Sequence, residues 1–111
     1  MSDFLIPDSQ AQQAFDILRS TDHARSRAAY EFSEKNLKVV LAREIAKSNS
    51  SSMSAKENDA LRSEGYLEAL NALRTVAEAY YTHKDRRDAA SACLDAWRTQ
   101  QSDRRALGKV G

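Results

Sequence analysis

Apolar side chains recur every three or four residues along most of this chain, which is the spacing of an amphipathic helix. A first pattern predicts a short helix over residues 8–20, which follows Pro7 and is capped by Asp8 or Ser9. A second pattern predicts a long helix over residues 22–48. No alternation of apolar and polar residues is long enough to predict a strand, so the fold class is predicted to be all-α.

The segment "STDHA" at residues 20–24 separates these two patterns. Thr21 or Asp22 is suited to cap the second helix, because short polar side chains accept hydrogen bonds from the free N–H groups of a first turn. The segment contains neither glycine nor proline. A helix that continues through it is therefore the alternative to the predicted break.

The Ser-rich segment 48–54 marks the strongest boundary in the chain, because serine and asparagine favour turns and caps over helix interiors. It predicts a loop, followed by a short helix over residues 55–63. Ser54 is the expected N-cap of this helix, and Glu57 completes a capping box with it.

A second long helix is predicted over residues 64–106, with Gly65 at its start and a frayed tail over residues 107–111. Its apolar stripe follows heptad spacing, becomes polar around residues 83–87, and then turns apolar again. The apolar members of the stripe are Tyr66, Leu70, Leu73, Ala77, Tyr80, Ala90, Leu94 and Trp97.

A helix of this length cannot bury its own stripe, so we expect the two long helices to form an antiparallel, coiled-coil-like hairpin with the Ser-rich loop at the bend. Together with the short helices, this gives a single domain of three to four helices over residues 1–111. With the turn centred near residue 56, Ile45 is expected to lie beside Leu67–Leu70, and Tyr30 beside Lys84.

This register places charged residues of the two long helices opposite each other. Glu31 and Glu34 are expected within reach of Lys84 and Arg87. Such a layer of opposite charges would fix the register of the hairpin. The segment "AYYTHKDRRDAA" at residues 79–90 is therefore interpreted mainly as part of a helix–helix contact.

Two helices seldom form a stable domain without a third element or a partner chain. The first helix could supply that element by covering the stripe at Leu94 and Trp97. A second copy of the chain could cover the same stripe instead, and the sequence leaves both arrangements open.

Composition limits the function. The net charge is only +1 and the pI is about 7.9, so a strongly electrostatic nucleic-acid binder is not expected. The lone Cys93 favours a reducing compartment. The N-terminus "MSDFLIPDSQ" has no basic, apolar leader, and no apolar run is long enough to span a membrane. These features predict a cytoplasmic protein without a membrane anchor.

No catalytic or metal-binding constellation is recognisable. His23, His83 and Cys93 lie far from one another in the sequence, and no glycine-rich phosphate loop or nucleophile elbow is present. The pairs of acidic and basic residues follow helical spacing, which solvated ion pairs explain. We expect no enzyme activity, no metal and no cofactor.

The segment "CLDAWRTQQSDRRA" contains the strongest candidate for a binding site. Its aromatic ring could stack on a base or anchor a partner protein, and its arginines could contact phosphates. Four basic residues face one acidic residue over residues 97–109, an excess of three charges, which suits weak and salt-sensitive binding of single-stranded nucleic acid. In the alternative interpretation, Trp97 packs under the first helix and the arginines are solvated. The candidate residues are Trp97, Arg98, Gln101, Arg104 and Arg105.

The chain resembles a group of short helical proteins of tailed bacteriophages. The resemblance covers residues 24–106 and is carried by "YEFSEKNLKVVLAREIA", "AKENDALRSEGYLEAL", "AEAYYTHKDRRDAA" and "WRTQQSDRRA". Its distinctive motif is Trp97–Arg98 followed by Arg105–Ala106. Proteins of this group are encoded in early regions for DNA metabolism and recombination, so the resemblance implies an accessory role beside DNA-processing or host proteins.

Three functions are therefore expected, and the most favoured is given first. The first is binding of a DNA-processing or host protein through a helical surface, with self-association as a further expectation. The second is direct binding of single-stranded nucleic acid through the basic end of the last helix. The third is inhibition of a host defence or repair complex, which rests on the same physical features as the first.

Overall fold

The computed structural model describes residues 5–110, and this part of the chain contains four helices and no strand. These are α1 (Asp8–Arg19), α2 (Asp22–Lys47), α3 (Met53–Leu61) and α4 (Glu64–Val110). The predicted all-α class and helical hairpin are confirmed. Helix α4 continues to Val110, whereas the sequence predicted a frayed tail from residue 107.

Contacts within the chain group into two compact units, so the single domain expected from the sequence is subdivided. The first unit combines residues 5–23 with residues 82–110, which places α1 against the second half of α4. The second unit is residues 24–81, which contain most of α2, all of α3 and the first half of α4.

Ser20 ends α1 and starts α2. Its backbone is extended, and its N–H group donates to the carbonyl oxygens of Asp16 and Ile17 in the last turn of α1. Its hydroxyl oxygen accepts the N–H of Asp22 at 3.1 Å, as a capping side chain does. The predicted break is thus present, although the side chain that accepts this bond is Ser20 instead of Thr21 or Asp22.

Helix α3 begins two residues earlier than predicted. Its N-cap is Ser52, whose hydroxyl oxygen accepts the N–H of Ala55 at 3.1 Å. The prediction of Ser54 as N-cap was wrong, because Ser52 and Ser54, two residues apart, have the same capping propensity and the sequence could not rank them. With Ala55 at the third helical position, the predicted capping box with Glu57 does not form.

The Ser-rich loop is tied to α3 through one carboxylate. The hydroxyl groups of Ser48 and Ser50 both donate to the same oxygen of Asp59, each at 2.6 Å. The bond from Ser48 is the largest cause that lowers the pKa of Asp59, and the bond from Ser50 is the next. These bonds hold the loop against the helix that follows it.

In the second unit, α2 and the first half of α4 pack antiparallel with small residues at the bend. Ala60 and Ala69 are buried, and Gly65 lies so close to Glu44 that a Cβ atom there would be 2.6 Å from the carboxylate. Small side chains let the helix backbones approach each other. Leu70, which the sequence placed in the seam, is 41% exposed, whereas its neighbour Ala69 is buried.

The register of the hairpin therefore differs from the prediction by about one turn. Tyr30 stacks on Tyr80, with ring centroids 5.2 Å apart, one turn before the expected position beside Lys84. Glu44 lies beside Gly65, whereas the prediction placed Ile45 beside Leu67–Leu70.

Three tyrosines form a cluster at the other end of this unit. Tyr81 contacts Tyr30 edge-on, with centroids 6.0 Å apart, and it also contacts Tyr80. The pKa of Tyr30 is raised, first by a hydrogen bond with Tyr81 and next by the negative charge of Glu34. The aromatic residues that the sequence divided between seam and flank thus make one contact.

Two residues of the predicted charge layer form ion pairs at the helical spacing that the sequence also indicated. Glu31 pairs with Arg27 at 3.0 Å and Lys84 with Asp88 at 3.7 Å, each within one helix. Arg87 donates to the carbonyl oxygen of Leu18. Pairing of Glu31 and Glu34 with Lys84 and Arg87 stays a prediction.

Candidate functional site

The first unit is built on a contact between small side chains of α1 and α4. Ala11 and Ala14 on α1 lie against Ala90 and Leu94 on α4, and all four are buried. Ala11 and Ala14 are three residues apart, and Ala90 and Leu94 are four residues apart. These spacings place each pair on one face of its helix. Ile17, Leu18, Cys93 and Trp97 pack around this cluster.

Trp97 is held at the start of α1 by a side-chain hydrogen bond. Its indole N–H donates to the carboxylate of Asp8 at 3.0 Å, and the side chain is half-buried. Asp8 is the first residue of α1, and the N-cap is Pro7, which has no side-chain cap. Asp8 was predicted as a cap, but its described bond is to Trp97. Of the two interpretations of Trp97, the structure supports packing under the first helix.

Gln100 fixes the segment that precedes α1. Its side-chain carbonyl oxygen accepts the N–H of Ile6 at 2.8 Å, and its amide group donates to the carbonyl oxygen of Ile6 at 3.0 Å. One amide side chain thus satisfies both backbone groups of one residue, as a neighbouring strand would. Gln100 was not among the predicted site residues, because no local pattern in the sequence distinguishes it from Gln101.

The other end of α1 also contacts α4. Arg87 donates from its guanidinium group to the carbonyl oxygen of Leu18 at 3.4 Å. A cation at a helix C-terminus is favourable, because the last carbonyl groups are unpaired and carry partial negative charge. Arg87, Leu94, Trp97 and Gln100 therefore hold α1 along its length.

A groove runs between α1 and α4 on one side of this contact. It is lined by Asp8, Ala11, Gln12, Phe15, Leu94 and Trp97. Phe15 forms its exposed wall, with 45% of the residue accessible, and the guanidinium carbon of Arg19 lies 5.4 Å from the centre of the Phe15 ring. Buried alanine and leucine form the floor, so the groove is apolar and shallow.

The five candidate residues of the sequence analysis occupy one side of α4. Helical spacing places Trp97, Arg98, Gln101, Arg104 and Arg105 within an arc of roughly 120°. Arg98, Arg104 and Arg105 are exposed, Gln101 is half-buried, and Arg98 pairs with Asp95 at 3.6 Å. The sequence did not identify Phe15 as part of this surface, because its contact with α4 depends on how the two helices pack.

The two histidines are brought to one place. His23 and His83 line a small depression with Arg86 and Arg87, beside the junction of α1 and α2. Among residues 5–110, no group of three or more His, Cys, Asp or Glu side chains could hold a metal ion. The depression combines cationic and imidazole groups with Ser20 and Asp22.

Two further observations concern the chain as a whole. None of the helices in the described part is both long and apolar enough to cross a membrane. Comparison with protein-family models, with curated proteins and with solved structures finds no match to this chain.

Proposed function

We propose that this chain is a non-enzymatic module that binds another protein through the groove between α1 and α4 and the arginines beside it. From its resemblance to phage proteins, the partner is a DNA-processing or host protein. An inhibitor of a host defence or repair complex would use the same surface, so it is a special case of this proposal.

The observation that carries the proposal is the amount of large apolar surface left uncovered. Leu5, Phe15 and Leu107 are exposed in the first unit, and Phe32, Val39 and Met53 are exposed in the second. No large side chain among the described residues is fully buried. Exposed apolar patches on small folded proteins often mark protein-interaction sites, because their burial on binding is favourable.

Binding of single-stranded nucleic acid is the second candidate. The exposed arginines Arg98, Arg104 and Arg105 favour it, since phosphate contacts supply most of such affinity. The hydrogen bond of Trp97 to Asp8 counts against it, because a ring held there is not free to stack on a base. The near-neutral net charge also favours a protein partner.

The experiment is affinity capture from a lysate of the phage's bacterial host, with the whole tagged chain and with two exposed-site variants. We expect the wild type to retain one specific protein, which is identified by mass spectrometry. Phe15→Ser should abolish this retention, whereas Phe32→Ser, a matched change in the second unit, should not. Failure of the wild type to retain any protein across a range of salt concentrations would overturn the proposal.

A further inference from the structure

The groove lined by Asp8, Ala11, Gln12, Phe15, Leu94 and Trp97 has a basic border on α4. Arg87, Arg98 and Arg105 are separated by eleven and seven residues, which places them within roughly 20° of one another around the helix. This is the side of α4 on which Leu94 lies, so the arginines follow the groove. All three are exposed.

The acidic residues of this half of α4 lie further around the helix. Asp85 and Asp103 are about 140–160° from the line of arginines, Asp88 is about 80–100° from it, and Asp95 is about 60–80° from it. Asp95 pairs with Arg98, and Asp88 pairs with Lys84. The four aspartates thus lie on one flank of the line of arginines, and Asp95 partly offsets the charge of Arg98.

The border on α1 is also poor in free negative charge. Arg19 lies over Phe15 and pairs with Asp16 at 2.9 Å. Among the described residues, Asp8 is the only carboxylate that lines the groove, and one of its oxygens accepts the indole N–H of Trp97. The groove therefore presents an aromatic wall between cationic borders.

Its dimensions suit a helix. A groove between two packed helices accepts the apolar face of a third one, with anchors at positions i, i+3 or i+4, and i+7. The α1 residues that line the groove run from Asp8 to Phe15, seven residues apart, so the groove extends for about 10 Å, or roughly two turns. Aromatic residues and arginine are the residue types most enriched at the energetic centres of protein interfaces.

We propose that the groove binds an acidic amphipathic helix of the partner, whose apolar side chains contact Phe15 and Trp97 and whose carboxylates face Arg87, Arg98 and Arg105. This inference rests on the proposed function and specifies the chemistry of the partner. A nucleic acid is the less favoured ligand, because Trp97 is held by its hydrogen bond to Asp8 and the carboxylate of Asp8 lines the groove.

Trp97 is the only tryptophan in the chain, so its fluorescence reports binding in this groove directly. The probes are two synthetic peptides of about 18 residues, roughly five helical turns, with leucine at helical spacing and either glutamate or lysine elsewhere. The whole chain should bind the glutamate peptide at least about tenfold more tightly than the lysine peptide, and added salt should reduce the difference.

Three variants test the assignment. Arg98→Glu combined with Arg105→Glu should reverse the preference between the peptides, and Phe15→Ser should weaken the glutamate peptide by about tenfold or more. The matched control is Arg74→Glu, an exposed arginine paired with Glu78 in the second unit, which should change neither affinity. Circular dichroism of each variant checks that the helices are retained.

Equal affinity for the two peptides, or no response of Trp97 to the glutamate peptide, would overturn the inference. Binding of a single-stranded oligothymidine that depends on Arg98 and Arg105, without binding of the glutamate peptide, would also overturn it in favour of nucleic acid. After either result, the proposed function still holds if the wild type captures a specific protein from the lysate and Phe15→Ser does not. Failure of capture, by contrast, removes the proposed function itself.

Discussion

The two compact units stabilise α4 in different ways. In the first unit, α1 packs with alanines against Ala90 and Leu94, and side chains such as Gln100 and Trp97 add hydrogen bonds. In the second, neighbouring segments of the chain form a hairpin with small residues at the bend and stacked tyrosines at the other end. The first unit joins residues that are distant in the sequence, whereas the second joins residues that are closer together.

This difference bears on function. The contact that packs on Leu94 and Trp97 comes from α1 of the same chain, and coverage of this stripe by a second copy stays a prediction. The hydrogen bonds that hold α1 against α4 leave Phe15 exposed beside the contact between these helices. A surface suited to binding thus remains where a distant segment has only partly covered an apolar stripe.

The largest expected effect is the loss of stability when a buried side chain in the core of the first unit is truncated, compared with the same kind of change in the second unit. Leu94 is 4% exposed, and Leu94→Ala should lower the free energy of unfolding by about 2–5 kcal/mol, through lost burial and a cavity. It should also shift the emission of Trp97 to longer wavelength before any denaturant is added. Val40→Ala in the second unit should cost about 2 kcal/mol and leave this emission unchanged. Urea titration, followed by circular dichroism and fluorescence, measures the free energy of unfolding and the Trp97 emission of both variants. Equal emission changes in the two variants would contradict the division into two units with separate cores.

A smaller effect tests the bend of the second unit. Ser52→Ala should destabilise the chain by about 1 kcal/mol, because the first turn of α3 loses its cap. Ser54→Ala is the matched control, since Ser54 lies inside the helix, where alanine is at least as favourable. Thermal or urea unfolding compares the two variants. A larger loss for Ser54→Ala would restore the cap predicted from the sequence.

A similar effect tests the bond that fixes Trp97 in the first unit. A double-mutant cycle with Asp8→Ala and Trp97→Phe should give a coupling of about 1 kcal/mol, since each change removes the same hydrogen bond. Unfolding of the two single variants and the double variant by urea supplies the measurement. Additive losses would show that the two side chains do not interact.

The smallest effect concerns the tyrosine cluster. The pKa of Tyr30 lies above the ordinary tyrosine value, because Tyr81 bonds its hydroxyl and Glu34 adds negative charge nearby. The protonated form is thus favoured by folding, so this contribution to stability is complete below the unfolded pKa of about 10 and is lost as the pH rises through the folded value. Glu34→Gln should lower the pKa of Tyr30 in an absorbance titration, whereas Glu78→Gln should not. Identical titration curves for the two variants would contradict the assigned cause.

The sequence predicted helices better than contacts. Helical spacing and the Ser-rich segment located all four helices, because these signals are local. Ala69 is buried where the sequence predicted Leu70, and Ser52 caps α3 where it predicted Ser54, because local propensity ranks neither pair. The site was found in part: "WRTQQSDRR" marked Trp97 and the arginines, but Asp8, Phe15 and Gln100 join them only through the fold.

The central claim is that α1 of the same chain covers Leu94 and half-buries Trp97, which leaves the groove beside Phe15. Quenching of Trp97 fluorescence by acrylamide tests it most directly when it is measured on the whole chain at a series of protein concentrations, with the molecular mass followed by light scattering. We predict partial protection of Trp97 that does not change on dilution and is lost when Ala14→Glu displaces α1. Protection that disappears as the mass falls to that of one chain would contradict the account, because it would show that a second copy covers this stripe.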